Sequence, residues 1–323
     1  MATVLVTGGA GFIGSHLVEA LVARGDRVRV LDDLSTGSLD HLASVTGNIT
    51  FIQGDVAELL DVRRAMAGAT HVIHAAALRS IPRSLDDPAL CNRVNIGGAL
   101  NVLVAAREAQ ARRVVVISSS SVYGDAAHYP VTEELPPHPG SPYAVTKLTS
   151  EQYARLFHEL YGVSVLCLRY FNVFGPRMDA TSGYAMAVPR FIETMLRDEP
   201  PPIYGDGLQT RDFLYVANVV QATLRALDVS EIGPGVYNIG GGQEHSLLDL
   251  VATLNRLMKK QLVPRHLPAK PGEYRRTLAD IARAREHLGF SLTVGFEEGL
   301  AHTIAWFRQR QGDPVMAHRK GTA

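Results

Sequence analysis

The chain is short of cysteine, with two in 323 residues, and holds a single tryptophan. Cys91 and Cys167 each stand alone among apolar or mixed neighbours. That excludes a disulfide framework and fits a reducing cytoplasm. Charge of one sign is also missing, since 32 basic residues balance 32 acidic ones. A global attraction to nucleic acid or to a membrane surface therefore has no basis, and neither is expected as a partner. No apolar run reads as long enough to span a bilayer. The N-terminus, Met1-Ala2-Thr3-Val4-Leu5-Val6-Thr7, lacks the charged start and apolar block of a signal peptide. The twelve histidines show no metal-ligand spacing, so no metal is expected. Internal repeats and low-complexity tracts are absent too.

Hydrophobic content of 46% with 20% charge marks an ordinary packed globular protein. Short β-branched runs alternate with longer helical patterns through the first half. Strands are expected at Thr3–Thr7, Arg27–Asp32, Ile49–Gln53, His71–His74, Arg113–Ser118 and Ser164–Arg169. Helices are expected at Gly14–Arg24, Leu59–Ala67, Pro88–Gln110 and Ser141–Tyr161. Continuous apolar strands such as Val114-Val115-Val116-Ile117 suit a parallel sheet covered on both faces. The repetition predicts an α/β, doubly wound Rossmann sheet.

The rhythm loosens after Gly175. Pro200-Pro201-Pro202 marks a break, followed by strands at Phe213–Val216 and Val236–Ile239 and helices at Asn218–Asp228, Leu247–Met258 and Phe296–Arg308. The expected organisation is a dinucleotide-binding domain over 1–175, with 212–240 returning to it. A smaller discontinuous lobe takes 176–211 and 241–315, and 316–323 forms a tail.

Thr7-Gly8-Gly9-Ala10-Gly11-Phe12-Ile13-Gly14 follows the first strand and opens the first helix. Gly8 allows the tight turn, Gly11 admits a pyrophosphate close to backbone amides, and Gly14 lets helix and sheet pack closely. Free N–H groups at the helix start suit phosphate oxygens. Asp32, ending the second strand, can accept both hydroxyls of an adenosine ribose and repel a 2′-phosphate, which favours NAD over NADP. Asp33 is the ordinary strand-end alternative. No arginine occurs in the following Leu34-Ser35-Thr36-Gly37. Asp55-Val56 is a candidate for the adenine edge, although alone it reads better as a helix cap.

Tyr143 and Lys147, at i and i+4, share one helix face, with Ser141 as N-cap and Pro142 in the first turn. An ammonium beside the phenol, with a nicotinamide cation near, is expected to bring the tyrosine pKa down toward neutrality and make it a usable base. A bare Tyr-x-x-x-Lys is usually a surface pair. Ser118-Ser119-Ser120-Ser121-Val122-Tyr123-Gly124 changes the odds, because it ends a strand where open α/β sheets place ligands.

Together these residues resemble the extended short-chain dehydrogenase/reductase superfamily, and within it the NAD-dependent UDP-sugar 4-epimerases. The likeness also rests on His74-Ala75-Ala76-Ala77, on Leu168-Arg169-Tyr170-Phe171-Asn172-Val173-Phe174-Gly175-Pro176, on Tyr204-Gly205-Asp206-Gly207 and on Thr210-Arg211-Asp212-Phe213. The resemblance implies tightly bound NAD, a UDP-sugar substrate and a homodimer formed through the helices Pro88–Gln110 and Ser141–Tyr161. It implies Tyr143 as acid/base, Lys147 on the nicotinamide ribose and Ser119 as the catalytic hydroxyl. Ser80, Ser120 and Ser121 would contact the sugar. Phe12, Ile13, Asp33, Ser35, Thr36, Gly37, Ala75, Ala76, Ala77, Arg79, Asn95, Ser118 and Phe171 would lie at the cofactor. Asn172 would hold the nucleotide diphosphate, Val188 would lie at the substrate, and Tyr204 would meet the uracil and Arg211 the pyrophosphate. Without the resemblance, Arg211 beside Asp212 reads as a local ion pair.

Related 4,6-dehydratases carry an Asp-Glu pair before Val-Tyr-Gly, where this chain has Ser120 and Ser121. A decarboxylase of nucleotide-linked uronic acids is the remaining relative on this scaffold, and a catalytically silent NAD-binding regulatory protein is the alternative of another class. In Lys270-Pro271-Gly272-Glu273 the usual arginine is a lysine, which keeps the charge and loses the bidentate fork. Thr277 falls where the resemblance implies a gatekeeper of the sugar pocket, and a side chain that small would admit an N-acetyl group. Arg79 reads as a solvated or cofactor-facing charge, or else as a partner for a uronic carboxylate.

Overall fold

The computed structural model describes residues 1–179, 186–229, 235–269 and 274–311. Seven parallel strands make the central sheet: β1 (Thr3–Thr7), β2 (Arg27–Asp32), β3 (Ile49–Gln53), β4 (His71–His74), β5 (Arg113–Ser119), β6 (Val165–Tyr170) and β7 (Gly235–Ile239). Their spatial order is β3-β2-β1-β4-β5-β6-β7. The order reverses between β1 and β4, and doubly wound sheets open a ligand crevice at that reversal.

Helices cover both faces. The sheet's Val4, Val6, Ile73, Val115, Leu166 and Leu168 meet Leu17, Val18 and Leu21 of α1 (Phe12–Ala23) on one side. On the other, Leu5, Val72, Val114, Val116 and Val165 meet α2 (Leu59–Met66), α3 (Pro88–Glu108) and α4 (Pro142–Tyr161). Each such aliphatic side chain taken from water contributes about 1.5–3 kcal/mol. Strands buried on both faces carry near-continuous apolar runs, as Val114–Ile117 of β5 and Val165–Leu168 of β6 show.

The second lobe has its own core. Phe191, Ile192 and Met195 of α5 (Ala187–Leu196) pack with Leu250, Val251 and Leu254 of α7 (Leu247–Met258), and with Leu300, Ile304 and Phe307 of α8 (Phe296–Gln311). Between α5 and α7, helix α6 (Val216–Asp228) belongs to the sheet's core through Val219, Ala222 and Ala226. Phe12 and Tyr215 pack against both cores, at the seam where the lobes meet.

Several boundaries differ from expectation. The first helix starts at Phe12, two residues early, because Gly11 is its extended N-cap. Only Leu214–Tyr215 of the expected strand Phe213–Val216 is extended, and Val216 already opens α6. Residues Arg93–Gly97 form a π turn within α3. That helix is also long and apolar enough, by length and composition, to cross a membrane, contrary to the expectation that no segment is. Its Val102, Leu103, Ala105 and Ala106 are instead buried against the sheet.

Candidate active site

The glycine loop closes on itself. Gly8 has φ +69, and a Cβ there would lie 2.7 Å from the Ala76 backbone. A Cβ on Gly14 would lie 2.0 Å from the Gly8 carbonyl oxygen. Gly37 crosses Ala10 with equally little room, 2.9 Å from a built Cβ to the Ala10 carbonyl carbon. Gly11 caps α1 without a side chain, and no acidic residue sits in the first turn. The first-turn N–H groups, Phe12 and Ile13 among them, and the positive helix end thus remain available to a pyrophosphate. This cradle fits the dinucleotide implied by the sequence.

Asp32 is only 7% exposed, and burial pushes its carboxyl up. It accepts from Ala10 N and Leu34 N, both at 2.9 Å, so it shapes the loop as well as facing it. Each oxygen keeps acceptor capacity for a ribose hydroxyl. Asp33 accepts from the amide and hydroxyl of Ser35 and so caps the exposed turn holding Ser35 and Thr36. Asp55 accepts from Ala57 N at 2.8 Å and pairs with Arg93 at 3.1 Å, while Val56 is buried against Gly98. The Asp55 side chain closes the turn before α2, whose N-cap is Glu58, and caps no helix.

Beyond β4, Ala75, Ala76 and Ala77 are half-buried beneath the glycine loop. Asn95 grips both backbone groups of Leu78, accepting from its N–H at 2.8 Å and donating to its carbonyl at 3.2 Å, and donates to Thr146 Oγ1 at 2.9 Å. It ties this loop to the helix that carries Tyr143. Arg79 is exposed, and Ser80 caps the short helix Ile81–Asp86 through Arg83 N.

Ser119, Tyr143 and Lys147 converge at the C-terminal end of β5. Ser141 accepts from Ala144 N and Pro142 occupies the first turn, which starts α4 where the sequence places it. Ser84 accepts from Tyr143 N at 3.2 Å and fixes that start from the Ile81–Asp86 helix. The Lys147 Nζ donates to the Ile117 carbonyl at 2.6 Å and stands 6.0 Å from the Tyr143 ring centroid. Ser119 caps the turn Ser120–Tyr123 and accepts from Ser121 N and from Ser121 Oγ.

Burial pushes the Tyr143 phenol up, against the Ser119 hydrogen bond and the Arg79 charge, which act downward. The expected descent toward neutrality is therefore not produced by the chain alone. Lys147 is not among the groups that act on the phenol, and burial lowers that ammonium itself to about 8. A positive charge brought in beside the phenol is what can reverse the direction. His74, bonded to Thr7 Oγ1 at 2.8 Å, is lowered to about 3 by burial and by the nearby Lys147, and stays neutral.

Two residues expected at the cofactor turn their side chains inward. The Ser118 hydroxyl donates to Glu151 Oε1, beneath the cleft. Phe171 is 1% exposed, tilted against Tyr123 in the sheet core. In both, the side chain points to the packed side of the motif, which a residue string does not reveal.

The substrate half is assembled from separate segments. Thr277 donates to Asn172 Oδ1 at 2.8 Å. Val188 is buried at the start of α5. The Arg190 guanidinium lies 5.3 Å from the Tyr204 ring centroid, with both terminal nitrogens 3.4 Å from the hydroxyl. Arg211 donates to the Thr210 carbonyl. Lys270 and Glu273 lie outside the described residues.

Sequence reasoning missed four participants: Ser84, Arg190, Asp212 and the pair Glu151–Arg169. Only Glu151 had a signal, standing four residues beyond Lys147 on the same helix face. Arg169 meets it bidentately at 2.9 and 2.7 Å and lies 4.7 Å from the Tyr123 ring centroid, all buried. Among the described residues, no group of His, Cys, Asp or Glu is placed to hold a metal.

A parallel sheet with a glycine-loop cradle at its reversal, and a Ser–Tyr–Lys set at the end of the next strand, defines a dinucleotide-dependent enzyme of the short-chain dehydrogenase type. Residues 4–240 match the NAD dependent epimerase/dehydratase family, and the chain belongs to that family, with NAD as its cofactor. It is 38% identical to UDP-glucose 4-epimerase of Mycolicibacterium smegmatis over 95% of this chain and 98% of that protein. It is similar to the structure of UDP-N-acetylglucosamine 4-epimerase from Methanobrevibacter ruminantium, in complex with UDP-N-acetylmuramic acid (36% identity, TM-score 0.92, covering 96% and 99% of the two chains). A UDP-glucuronic acid 4-epimerase from Bacillus cereus, with UDP-glucuronic acid and NAD, superposes with TM-score 0.89 at 34% identity, over 95% and 99% of the chains.

Proposed function

We propose that the chain inverts C4 of a UDP-hexose, as an NAD-dependent UDP-sugar 4-epimerase. The carrying observation is the Ser119–Tyr143–Lys147 set, its tyrosine and lysine buried, with Ser120 and Ser121, rather than an acid pair, beside it. Such a site can move one proton and one hydride and has no second acid and base for elimination. NAD, when bound, supplies first the acceptor and then the donor of the C4 hydride, so no external oxidant is consumed.

The chain's own residues handle the proton. Tyr143 takes it from the sugar 4-hydroxyl and returns it after the ring has turned. Ser119 shares the same oxygen and keeps the phenol aimed. Lys147, held by the Ile117 carbonyl, holds positive charge beneath the site. Gly8, Gly11, Gly14 and Asp32 bind the cofactor in this reading, and Asn172, Val188, Tyr204, Arg211 and Thr277 bind the UDP-sugar. The short Thr277 side chain supports admission of an N-acetyl group.

A second copy of the chain is the proposed partner. The window of α3 that is apolar enough to span a membrane is only 44% buried, and neighbouring α4 exposes Val145, Leu156 and Leu160. Such a two-helix apolar face supports a homodimer. Two free, buried cysteines support a reducing, cytoplasmic setting.

The test incubates the purified protein with UDP-glucose, UDP-N-acetylglucosamine or UDP-glucuronic acid, without added nicotinamide, and follows the sugars by proton NMR. A 4-epimer is expected, and the fastest substrate identifies the sugar. No change in any of the three, even after NAD is supplied, overturns the reading. Carbon dioxide released from the uronic acid would replace it with a decarboxylase.

A further inference from the structure

Asp212 follows Arg211, and the simplest reading of the two is a local ion pair. The structure turns Asp212 inward instead. It is 0% exposed, and its carboxylate accepts three backbone N–H groups, from Gly241 at 2.5 Å, Gly242 at 3.1 Å and Ala279 at 3.0 Å. The donors come from the glycine turn after β7 and from the segment that carries Thr277. That turn is shaped around the carboxylate: a Cβ on Gly240 or Gly241 would lie 2.8 or 2.9 Å from an Asp212 oxygen.

The hydrogen-bond chain continues outward. Asp212 N donates to Thr277 Oγ1 at 3.1 Å, and that hydroxyl donates to Asn172 Oδ1 at 2.8 Å. Arg211, Asn172 and Thr277 lie far apart in sequence and meet at one buried residue: the Asp212 backbone N–H reaches Thr277, and its carboxylate fixes the Thr277 segment at Ala279 N and the glycine turn at Gly241 and Gly242.

We infer that Asp212 is the positioning residue of the substrate half, holding Arg211, Thr277 and Asn172 in one register so that they grip the UDP-sugar together. This rests on the reading that those three residues bind that substrate. Asp212 itself does not reach the ligand.

The same burial makes the hub sensitive to acid. Despite three N–H donors, desolvation lifts the Asp212 carboxyl to about 6. Glu244 adds a like charge, although Arg276 holds Glu244 bidentately at 2.7 Å, and Arg211 is the adjacent cation. Protonation places a hydroxyl where an acceptor stood, facing N–H groups. Gripping should weaken as pH falls through that value.

The experiment measures binding of UDP-glucose to the NAD-containing protein by titration calorimetry, with Asp212→Asn and Thr277→Val as variants. UDP-glucose is the probe because its pyrophosphate diester does not titrate in this range. For Asp212→Asn we expect a dissociation constant raised about ten-fold, with kcat within about three-fold and NAD content unchanged. The wild type should lose affinity between about pH 7 and about pH 5, and the variant should lack that fall. Unchanged affinity, or the same pH dependence in the variant, overturns the inference. Should Asp212→Asn fail to fold, the other two measurements decide. A flat wild-type series, or Thr277→Val binding as tightly as wild type, sinks it. Wild-type protein that binds none of UDP-glucose, UDP-N-acetylglucosamine and UDP-glucuronic acid at any pH brings down both this inference and the epimerase reading.

Discussion

The cofactor half of the site and the substrate half are built differently. The cofactor half comes from contiguous stretches, each folded by its own local chemistry: a glycine loop with no room for a Cβ, a strand-end aspartate bonded to that loop, and a capped helix presenting Tyr143 and Lys147. The substrate half draws Asn172, Val188, Tyr204, Arg211 and Thr277 from separate segments, and holds them by long-range bonds such as Thr277 to Asn172. A local device can be swapped or read by itself. A long-range device fails or works as a unit. In the proposed site the chemistry therefore sits on the rigid sheet half, and the proposed discrimination among sugars on the half whose parts depend on one another.

The sharpest test removes chemistry from the sheet half alone. Tyr143→Phe keeps the ring and its packing and deletes the proton carrier. Turnover should fall about 10²–10⁴-fold with UDP-glucose affinity nearly unchanged. Affinity lost together with turnover would assign Tyr143 to the substrate half as well, and break the division drawn here.

Glu151→Gln tests whether the sheet half owes its rigidity to the buried pair. The two side chains are 5% and 4% exposed, and the change leaves the Arg169 guanidinium without its countercharge. Unfolding free energy should drop by about 3–5 kcal/mol in a denaturant titration. Replacing both members together, Glu151→Leu with Arg169→Met, should cost much less, since a buried pair replaced by apolar side chains is often nearly neutral. A loss no larger than that of an exposed pair such as Arg155–Glu159 would show that the pair does not brace the site.

This contrast also explains what could be read from the residues. The sheet, its glycine loop and the Tyr–Lys face were legible, because strand and helix periodicities and i, i+4 spacing act within a few residues. The direction of a side chain at a strand end was not. Ser118 and Ser119 are neighbours with opposite destinations, one bonded to Glu151 and the other beside Tyr143. Phe171 and Asn172 divide in the same way between core and site. The rise of Tyr143 was not legible either, because desolvation depends on everything packed around the phenol and not on the lysine one turn away. The place of Asp212 was not legible, since its three N–H donors come from 29 and more positions along the chain.

Arg190 gives the smallest effect and the finest measure of the substrate half. On α5 it stands two residues beyond Val188, and its guanidinium rests by Tyr204 at the long limit of hydrogen bonding, 3.4 Å for both nitrogens. A half-buried cation at 5.3 Å from an aromatic centroid contributes about 0.5–1 kcal/mol. Arg190→Met should therefore raise KM about two- to five-fold through a less firmly held Tyr204, and leave kcat alone. Tyr204→Leu should make the arginine substitution silent, because the two act through one contact. An effect well beyond that range, and persisting in the Tyr204→Leu background, would put Arg190 on the nucleotide itself. The substrate half would then hold a cation that reads the ligand directly, where the present geometry gives it a supporting place behind the aromatic ring.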